Sequence, residues 1–352
     1  MNEQFFHQLV SGKRRGPAAA LLRAGLWGGQ WPYRAAVSLR NRRFDKDSDA
    51  VARVSVPVIS IGNLTVGGTG KTPMVKWVAR YLREAAVRVA IVSRGYGAEQ
   101  GAVNDEAIEL EQSLPDVPHL QDPDRVASAR IAIEELETQL ILMDDGFQHR
   151  RLGRDLDIVL LDATCPFGHG HLLPRGLLRE PVGSLRRADV ICLTRADLVD
   201  ESERRAIKAT ALKQAPQALW CEATHAPQRL ISSEGREQTL ATLDGTRVAA
   251  FCGIGNPAAF RRTLESLGCK LAAWREFPDH HRYTREDIDQ VAVDAAGADL
   301  VVCTHKDLAK VQSEILGNRP LWALEIAMQW LSGEQQLAER LNLLAQQAAA
   351  AE

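Results

Sequence analysis

The sequence predicts an α/β fold made of two P-loop or Rossmann-like α/β/α domains, with mostly parallel sheets and a short β linker. Short apolar runs alternate with amphipathic segments, which is the pattern of parallel strands covered by helices on both faces. A glycine-rich stretch at 59–73 follows the order strand, loop, helix. Proline, serine, glycine and polar residues interrupt the alternation at 224–246, which separates the two predicted domains.

These features divide the chain into four predicted parts. They are a basic amphipathic segment (1–46), a P-loop nucleotide-binding and catalytic domain (47–223), a linker with a short hairpin (224–246) and a second α/β domain that closes the cleft (247–352). A chain of 352 residues is long enough for two domains with separate cores. Six scattered cysteines form no C-x-x-C pair, which favours a reducing compartment over a disulfide framework or a zinc site.

The individual elements follow from the apolar pattern in chain order. Strands are predicted at 54–61, 87–93, 140–146, 156–162, 188–194, 248–253, 270–277, 300–304 and 321–326. Helices are predicted at 71–86, 122–138, 257–267, 284–296 and 333–350. Asp122 and Pro123 suit the N-cap and first position of the second helix. Residues 98–122 have weak periodicity and are predicted as a long loop with at most one helix, and loops of that length are usually functional.

The first 46 residues are basic, with nine Lys and Arg against two acidic residues, although the whole chain has a net charge of −2. Trp27 and Trp31 are four residues apart and therefore share a helical face. A basic helix with Trp and Leu on one face is typical of a segment that lies in a membrane interface. The alternative is a helix docked on the protein with a solvated basic side. No apolar run reaches the ~20 residues of a spanning helix, no secretory signal is visible, and the net charge does not indicate a nucleic-acid partner.

The glycine-rich stretch carries the clearest chemistry. Backbone N–H groups of glycines and of a helix N-terminus can surround phosphate oxygens, which outnumber the donors that side chains supply. The predicted nucleotide-binding residues are Gly67, Gly68, Thr69, Gly70, Lys71 and Thr72. Lys71 would reach the β- and γ-phosphates and the Thr72 hydroxyl would ligate Mg²⁺. The usual spacing requires glycine where this chain has Thr65, so Gly67 and Gly68 would take over that part.

Candidate acids follow the loop at the ends of later segments. Asp144 and Asp145 end a buried strand, which is the position of an Asp that holds Mg²⁺ beside a phosphate loop, and the spacing leaves open which of them ligates it. A hydroxyl that attacks a phosphate needs a carboxylate or imidazole to take its proton, and any acid in the long loop, such as Asp105 or Glu106, could do so. Arg179, next to Glu180, could stabilise the charge on a transferred phosphoryl group.

Three further segments have weaker patterns. Residues 277–283 (FPDHHRY) contain adjacent histidines, which point in different directions, so a single histidine paired with a carboxylate across the cleft is expected there. Residues 193–197 (LTRAD) and 304–307 (THKD) partly match the [NT]-K-x-D motif that reads guanine in GTPases. Neither match is complete.

Together these segments resemble the tetraacyldisaccharide 4'-kinases, the lipid A 4'-kinases of Gram-negative bacteria. The matching stretches, in the same order as in the family, are 62–73 (GNLTVGGTGKTP), 93–97 (SRGYG), 105–106 (DE), 144–149 (DDGFQH), 177–181 (LLREP) and 277–283. The first and fourth are the most specific. The resemblance implies ATP- and Mg²⁺-dependent phosphorylation of the 4'-hydroxyl of a tetraacylated disaccharide 1-phosphate, at the cytoplasmic face of the inner membrane. It implies no nucleic acid and no obligate protein partner.

The resemblance also implies residue roles. Asp105 is similar to the catalytic base of the family, and His280, with His281 as the alternative, to the partner that raises its basicity. Glu106, Asp144, Asp145 and Glu180 are similar to the magnesium-side acids, with Arg179 near the phosphates. Asn104 departs from the family, which often has glycine before the base.

Two other classes of protein share part of this pattern. Partitioning ATPases of the deviant Walker class also combine Gly-Gly-Thr-Gly-Lys-Thr with Asp-Asp strand ends, but they have a lysine where this chain has Val66. A membrane-associated GTP-binding protein would need a complete base-reading motif. The valine at position 66 and the incomplete base-reading motifs both favour the kinase.

Overall fold

A computed structural model describes residues 3–95, 105–279 and 281–350. Its helices are α1 (Glu3–Val10), α2 (Pro17–Lys46), α3 (Lys71–Glu84), α4 (Asp105–Ser113), α5 (Arg125–Leu136), α6 (Glu201–Gln214), α7 (Pro257–Ser266), α8 (Arg285–Asp294), α9 (His305–Val311) and α10 (Glu334–Ala350). Its strands are β1 (Val58–Asn63), β2 (Val89–Ser93), β3 (His119–Gln121), β4 (Leu140–Asp144), β5 (Leu156–Asp162), β6 (Val190–Thr194), β7 (Leu219–Ile231), β8 (Glu237–Gln238), β9 (Arg247–Cys252), β10 (Lys270–Glu276), β11 (Leu300–Thr304), β12 (Ile315–Leu316) and β13 (Arg319–Ser332).

The chain divides into two compact units. The first unit contains the described residues up to Gly95, Asp116–His225 and those from Met328 onward. The second unit contains the described residues between Gly95 and Asp116 together with Ala226–Ala327. The predicted α/β class with mostly parallel sheets is confirmed.

The first unit is built on a parallel sheet with the strand order β7-β6-β5-β1-β4-β2-β3. Strands β1, β2, β4 and β6 are buried at every position, as expected for a sheet covered on both faces. On one face, apolar residues of β2 and β4 pack against Val126, Ala129 and Ala132 of α5. Because β1 lies between β4 and β5, its loop and theirs meet at the same edge of the sheet.

The second unit has its own parallel sheet, in the order β10-β9-β11-β13. Alternate residues of β9 face opposite sides. Ala250 packs in the cluster that contains Phe260 of α7, while Phe251 packs in the cluster that contains Val291 of α8 and Leu308 of α9. The hairpin predicted within 224–246 is present as the antiparallel pair of β7 and β8.

Two elements lie in a different unit from the one predicted. Helix α10, expected in the second domain, belongs to the first unit, where Tyr81 Oη donates to Asn342 Oδ1 at 3.0 Å and Arg340 donates to the Asp189 carbonyl at 2.8 Å. Helix α4, expected within 47–223, belongs to the second unit, where it packs against α9. Both corrections come from contacts between segments that are distant along the chain.

Helix α5 also begins later than predicted. Its N-cap is Asp124, whose Oδ1 accepts from the N–H groups of Val126 and Ala127 at 3.2 and 3.4 Å. Asp122 instead accepts from the N–H of Asp124 at 2.6 Å. The predicted cap at Asp122 is therefore wrong by two residues, because that carboxylate closes the preceding turn.

The long helix α2 is anchored to the first unit through one face. Arg40 and Asn41 donate to the two carboxylate oxygens of Glu180 at 2.7 and 3.0 Å, and the Tyr33 hydroxyl donates to the Arg179 carbonyl at 2.9 Å. Arg187 also donates to Glu180, at 2.9 Å. No helix within the described ranges combines the length and the apolarity that crossing a bilayer requires.

We expect Glu180→Ala to destabilise the first unit strongly. Glu180 is fully buried, and its loss would leave Arg187 in the interior without its carboxylate, a change that costs about 3–5 kcal/mol in buried ion pairs. Urea denaturation of the purified variant and wild type measures the difference. The control is Glu201→Ala, which removes an exposed pair with Arg205 and should change the unfolding free energy by less than about 1 kcal/mol. Equal stabilities for Glu180→Ala and wild type would contradict this role.

Candidate functional site

The phosphate loop runs from the end of β1 to the start of α3 and depends on two glycines. Gly67 and Gly70 have φ values of 108° and 87°, a region that residues with a Cβ rarely adopt. A Cβ at Gly70 would also lie 2.5 Å from Nε2 of His225. The sharp turn therefore requires glycine immediately before Lys71, the first residue of α3.

Thr65, which stands where the usual loop has glycine, is part of a β-bridge. It pairs with Leu178, and this bridge is flanked by hydrogen bonds from Val66 N to Leu177 O at 2.8 Å and from Arg179 N to Leu64 O at 2.9 Å. Thr65 is buried and does not need a positive φ. The first part of the loop is thus extended and paired with the segment 177–179, and the turn is left to Gly67–Gly70.

The sheet register brings the predicted strand-end acids beside this loop. Ile61 of β1 pairs with Asp144 of β4, so Asp144 and the next residue, Asp145, lie at the edge of the sheet from which the loop departs. Asp144 is 8% exposed, and its Oδ1 accepts from the N–H of Asp145 at 2.8 Å. The backbone of Asp145 is in the left-handed region, with a φ of 50°, so the chain leaves the extended conformation of β4 at this residue.

Asp145 holds two cations together. Arg179 binds it through both nitrogens, at 2.7 and 2.9 Å, and Nζ of Lys71 lies 3.6 Å from Oδ1. Arg179 also donates to Asn63 Oδ1 at 3.1 Å. Burial opposes ionisation of Asp145, yet the Arg179 hydrogen bonds and the charges of Lys71 and Arg179 lower its pKa to about 2. At neutral pH the group is therefore a carboxylate between two positive charges, one on the first turn of α3.

The chemistry of the donors at this edge fits a magnesium ion that also binds phosphates. Mg²⁺ in such sites takes one or two carboxylates and keeps waters and phosphate oxygens for its remaining positions. The Thr72 hydroxyl is on the first turn of α3 and Asp144 is the last residue of β4, whereas Arg179 occupies both carboxylate oxygens of Asp145. Thr72 and Asp144 therefore fit the metal better than Asp145, which the sequence did not distinguish from Asp144.

The other side of the loop is supported by β6 and β7. Thr194 Oγ1 donates to the carbonyl of Thr69 at 2.8 Å, and His225 packs against Gly70. Burial, with help from the charge of Arg195, lowers the pKa of His225 to about 4, so the imidazole is neutral at physiological pH. Sequence reasoning missed Asn63, Thr194 and His225 as supports of the loop, and only the strand-end positions of Asn63 and Thr194 pointed to them.

Glu180, predicted as a magnesium-side acid, has other partners. Its two carboxylate oxygens accept from Arg40, Asn41 and Arg187, and its side chain is fully buried. Burial favours the neutral acid, but Arg187 and the other donors lower the pKa of Glu180 below its ordinary value. This geometry does not support a metal-ligand role, because the carboxylate is committed to holding α2.

The predicted residues of the second unit are only partly described. Asp105 and Glu106 begin α4, but their side chains lie outside the described part of the chain, as do Asn104 and His280. His281 is described. Its Nε2 lies 3.0 Å from Oδ2 of Asp287, and its ring stacks on Phe277 with centroids 4.7 Å apart. His281 is therefore engaged with its own unit.

Residues 193–197 and 304–307 partly match the guanine-reading motif, and the aspartate of each segment accepts hydrogen bonds from neighbouring residues. Asp197 accepts from the hydroxyl of Thr224, and Arg195 forms an ion pair with Asp162. Asp307 is fully buried and accepts from Tyr283, Thr304 and the N–H of Gly253. This geometry does not favour guanine reading by either segment.

The chain is similar in sequence and in structure to known proteins. Residues 22–346 match the family described as tetraacyldisaccharide-1-P 4'-kinase, LpxK. A tetraacyldisaccharide 4'-kinase of Anaeromyxobacter dehalogenans (strain 2CP-C) is 45% identical over 85% of this chain and 84% of the relative, and that of Anaeromyxobacter sp. (strain Fw109-5) is 41% identical over 94% of each.

A crystal structure of LpxK from Aquifex aeolicus in complex with ATP has a TM-score of 0.74 and 30% identity, and the match covers 92% of this chain and 99% of that one. The range 22–346, which matches the family, contains the phosphate loop, both strand-end aspartates and Arg179. The chain therefore belongs to the tetraacyldisaccharide-1-P 4'-kinase family and is an ATP-dependent phosphotransferase.

Proposed function

We propose that this enzyme transfers the γ-phosphate of ATP to the 4'-hydroxyl of a tetraacylated glucosamine disaccharide 1-phosphate, a step of lipid A biosynthesis. The observation that carries the proposal is the group of Lys71, Asp145 and Arg179 beside the phosphate loop, in a chain of this family. Phosphoryl transfer needs positive charge fixed where charge develops on the γ-phosphate oxygens. Lys71 and Arg179, which the Asp145 carboxylate holds in place, supply this positive charge without reorganisation.

The loop residues Gly67–Thr72 would bind the phosphates through backbone N–H groups and the N-terminus of α3. Lys71 and Arg179 would contact the β- and γ-phosphates, with Asp145 fixing the positions of both cations. We assign Mg²⁺ to Thr72 and Asp144, with Glu106 as a further acid on that side. When bound, the ion neutralises charge on the phosphate oxygens.

Asp105 is proposed as the base that takes the proton of the 4'-hydroxyl, with His280 as the partner that raises its basicity. The support is the resemblance of residues 105–106 and 277–283 to the motifs of the family and the place of Asp105 at the N-terminus of α4. His281 is a weaker candidate for the partner because Asp287 and Phe277 hold its ring.

The first test is the reaction itself. Purified enzyme, Mg-ATP labelled in the γ-phosphate and the lipid disaccharide monophosphate are incubated in detergent, and the products are separated by thin-layer chromatography. Wild type should label the lipid, and Asp105→Ala should lower kcat by about 10²–10⁴-fold, because general-base catalysis contributes that much. Glu111→Ala, an exposed acid on the same helix, is the control and should keep wild-type kcat. Absence of lipid labelling by wild type would refute the proposed function, whereas an active Asp105→Ala would refute only the base.

The second test concerns the clamp, by which we mean the contacts of Asp145 with Lys71 and Arg179. Asp145→Asn keeps the size of the side chain but removes the charge that holds Lys71 and Arg179 together. Losing one preorganised electrostatic contact typically lowers kcat by about 10²–10³-fold, and we expect an effect in this range. Steady-state kinetics with varied ATP measure it, with Asp45→Asn, a surface partner of Arg150 and Arg186, as the control. Wild-type kcat in Asp145→Asn would show that the clamp does not serve transfer.

We also propose that residues 1–46 attach the enzyme to the cytoplasmic face of the inner membrane. The support is an apolar group on the open side of α2: Leu21, Leu22, Trp27, Trp31 and Leu39 are 46–75% exposed. Trp27 and Trp31 pack edge to face at 5.6 Å, and Arg34 lies over the Trp31 ring. Exposed tryptophans with arginines beside them suit the headgroup region of a bilayer, where an acylated acceptor would be available.

The third test measures partition into vesicles. The double variant Trp27→Ser/Trp31→Ser should bind vesicles with anionic lipid more weakly than wild type in a sedimentation assay, because it removes two interfacial aromatic side chains. Affinity for ATP should not change, since neither residue contacts the phosphate loop. Leu198→Ser, which alters an exposed apolar residue elsewhere on the first unit, is the control. Equal partition of the double variant and wild type would refute the membrane face.

A further inference from the structure

We infer that the start of α9, through Asp307 and His305, positions the two segments of the second unit that carry Asp105 and His280. The inference rests on the proposed function, because it takes Asp105 and His280 as the groups that handle the proton. It makes Asp307 and His305 positioning residues, which act through other groups and touch no substrate.

Asp307 connects three elements. Its Oδ2 accepts from Oγ1 of Thr304, the N-cap residue of α9, at 2.6 Å. Its Oδ1 accepts from Tyr283 Oη at 2.7 Å and from Gly253 N, beyond the end of β9, at 3.1 Å. If Asp307 served only to support this helix cap, the bond with Thr304 would be sufficient. The other two extend the contact to the segment before α8 and to the sheet.

The residues on both sides of position 280 contact β9 or α9. On one side, Phe277 N donates to Cys252 O at 2.8 Å, and the Phe277 ring packs edge to face on Phe251. On the other side, Tyr283 binds Asp307, and Nζ of Lys310 on α9 donates to the His281 carbonyl at 3.1 Å. The backbone before and after His280 is therefore anchored to β9 and to α9.

The same turn of α9 meets α4. Nδ1 of His305 lies 4.0 Å from Oε1 of Glu109, and each residue is 8% exposed. Glu109 is four residues after Asp105 in the sequence of α4. Ala107 and Leu110 of α4 are buried as well, so the helix is held by packing and by this polar contact.

The chemistry at Asp307 argues against a purely stabilising role. The carboxylate is 0% exposed and accepts hydrogen bonds from neutral donors. Burial raises the pKa of Asp307 above its ordinary value, and the bonds from Thr304, Tyr283 and Gly253 and the charge of Lys310 compensate only in part. A buried carboxyl group whose hydrogen bonds all come from neutral donors is a costly way to stabilise a fold, and an apolar side chain would often serve better. A satisfied buried network does fix one geometry. We infer that Asp307 contributes by fixing the geometry of the segments that it connects.

The test uses the full-length enzyme in the lipid kinase assay. Tyr283→Phe, Asp307→Asn and His305→Gln should each lower kcat by about 10–100-fold, the usual effect of a small misplacement of catalytic groups. The Kd for ATP should stay within about twofold of wild type, because the phosphate loop belongs to the first unit. Asp294→Asn, which breaks a surface pair with Arg275 in the same unit, is the control and should retain wild-type kcat.

The deciding measurement is a double-mutant cycle with Asp105. If Asp307 acts by positioning the base and its partner, Asp307→Asn should change kcat by less than about twofold in the Asp105→Ala background. A general structural effect would lower kcat by the same factor in both backgrounds. Tyr283→Phe removes one hydroxyl and keeps the test available if Asp307→Asn fails to fold.

The outcomes separate this inference from the proposed function. Near-wild-type kcat in folded Tyr283→Phe and Asp307→Asn, alongside inactive Asp105→Ala and His280→Ala, would overturn the positioning role and leave the function standing. Equal factors in the two backgrounds would also overturn it. An active Asp105→Ala would refute the assignment of the base, and the positioning inference would fall with it.

Discussion

The carboxylate of Asp145 is the point on which the nucleotide site depends. It binds Arg179 through both oxygens and lies 3.6 Å from Lys71, while its backbone carbonyl accepts from Arg125 of α5 at 3.1 Å. Arg179 continues the chain of contacts to Asn63 at the end of β1. One acid thus joins the ends of two central strands to the helices that flank them, and it does so with charge-assisted bonds, which are the stronger kind.

The same contacts explain why α2 and the site belong together. The segment 177–180 pairs with the phosphate loop through Leu178 and Thr65, sends Arg179 to Asp145, and holds α2 through Glu180. The helix that carries the proposed membrane face is therefore fixed to the segment that forms the phosphate site. An acceptor lipid taken from a membrane by this helix would meet a site whose position is set by the same few residues.

The elements that depend on local pattern could be predicted from the sequence, and those that depend on distant contacts could not. The buried strands and α3 were predictable because continuous apolar runs and a Gly-Lys-Thr junction are local signals. The β-bridge of Thr65, the partners of Glu180 and the place of α10 join segments that are far apart, 139 residues in the case of Asn41 and Glu180. The sequence places Glu180 beside Arg179, which suggests a metal ligand, and only the structure shows that Arg40 and Arg187 bind the Glu180 carboxylate. At Asp122 the error was local, because two nearby aspartates competed for one helix cap.

Each unit contains an aspartate at a junction of several elements, and the surroundings of the two aspartates differ. Asp145 is surrounded by cations, which outweigh burial and lower its pKa to about 2. Asp307 receives bonds from neutral donors, so burial outweighs them and raises its pKa. The first arrangement gathers positive charge at the proposed phosphate site, whereas the second, in our inference, serves to fix geometry. This division is what a phosphotransferase needs, because transfer depends on electrostatic stabilisation of the phosphoryl group and on the placement of the groups that handle the proton.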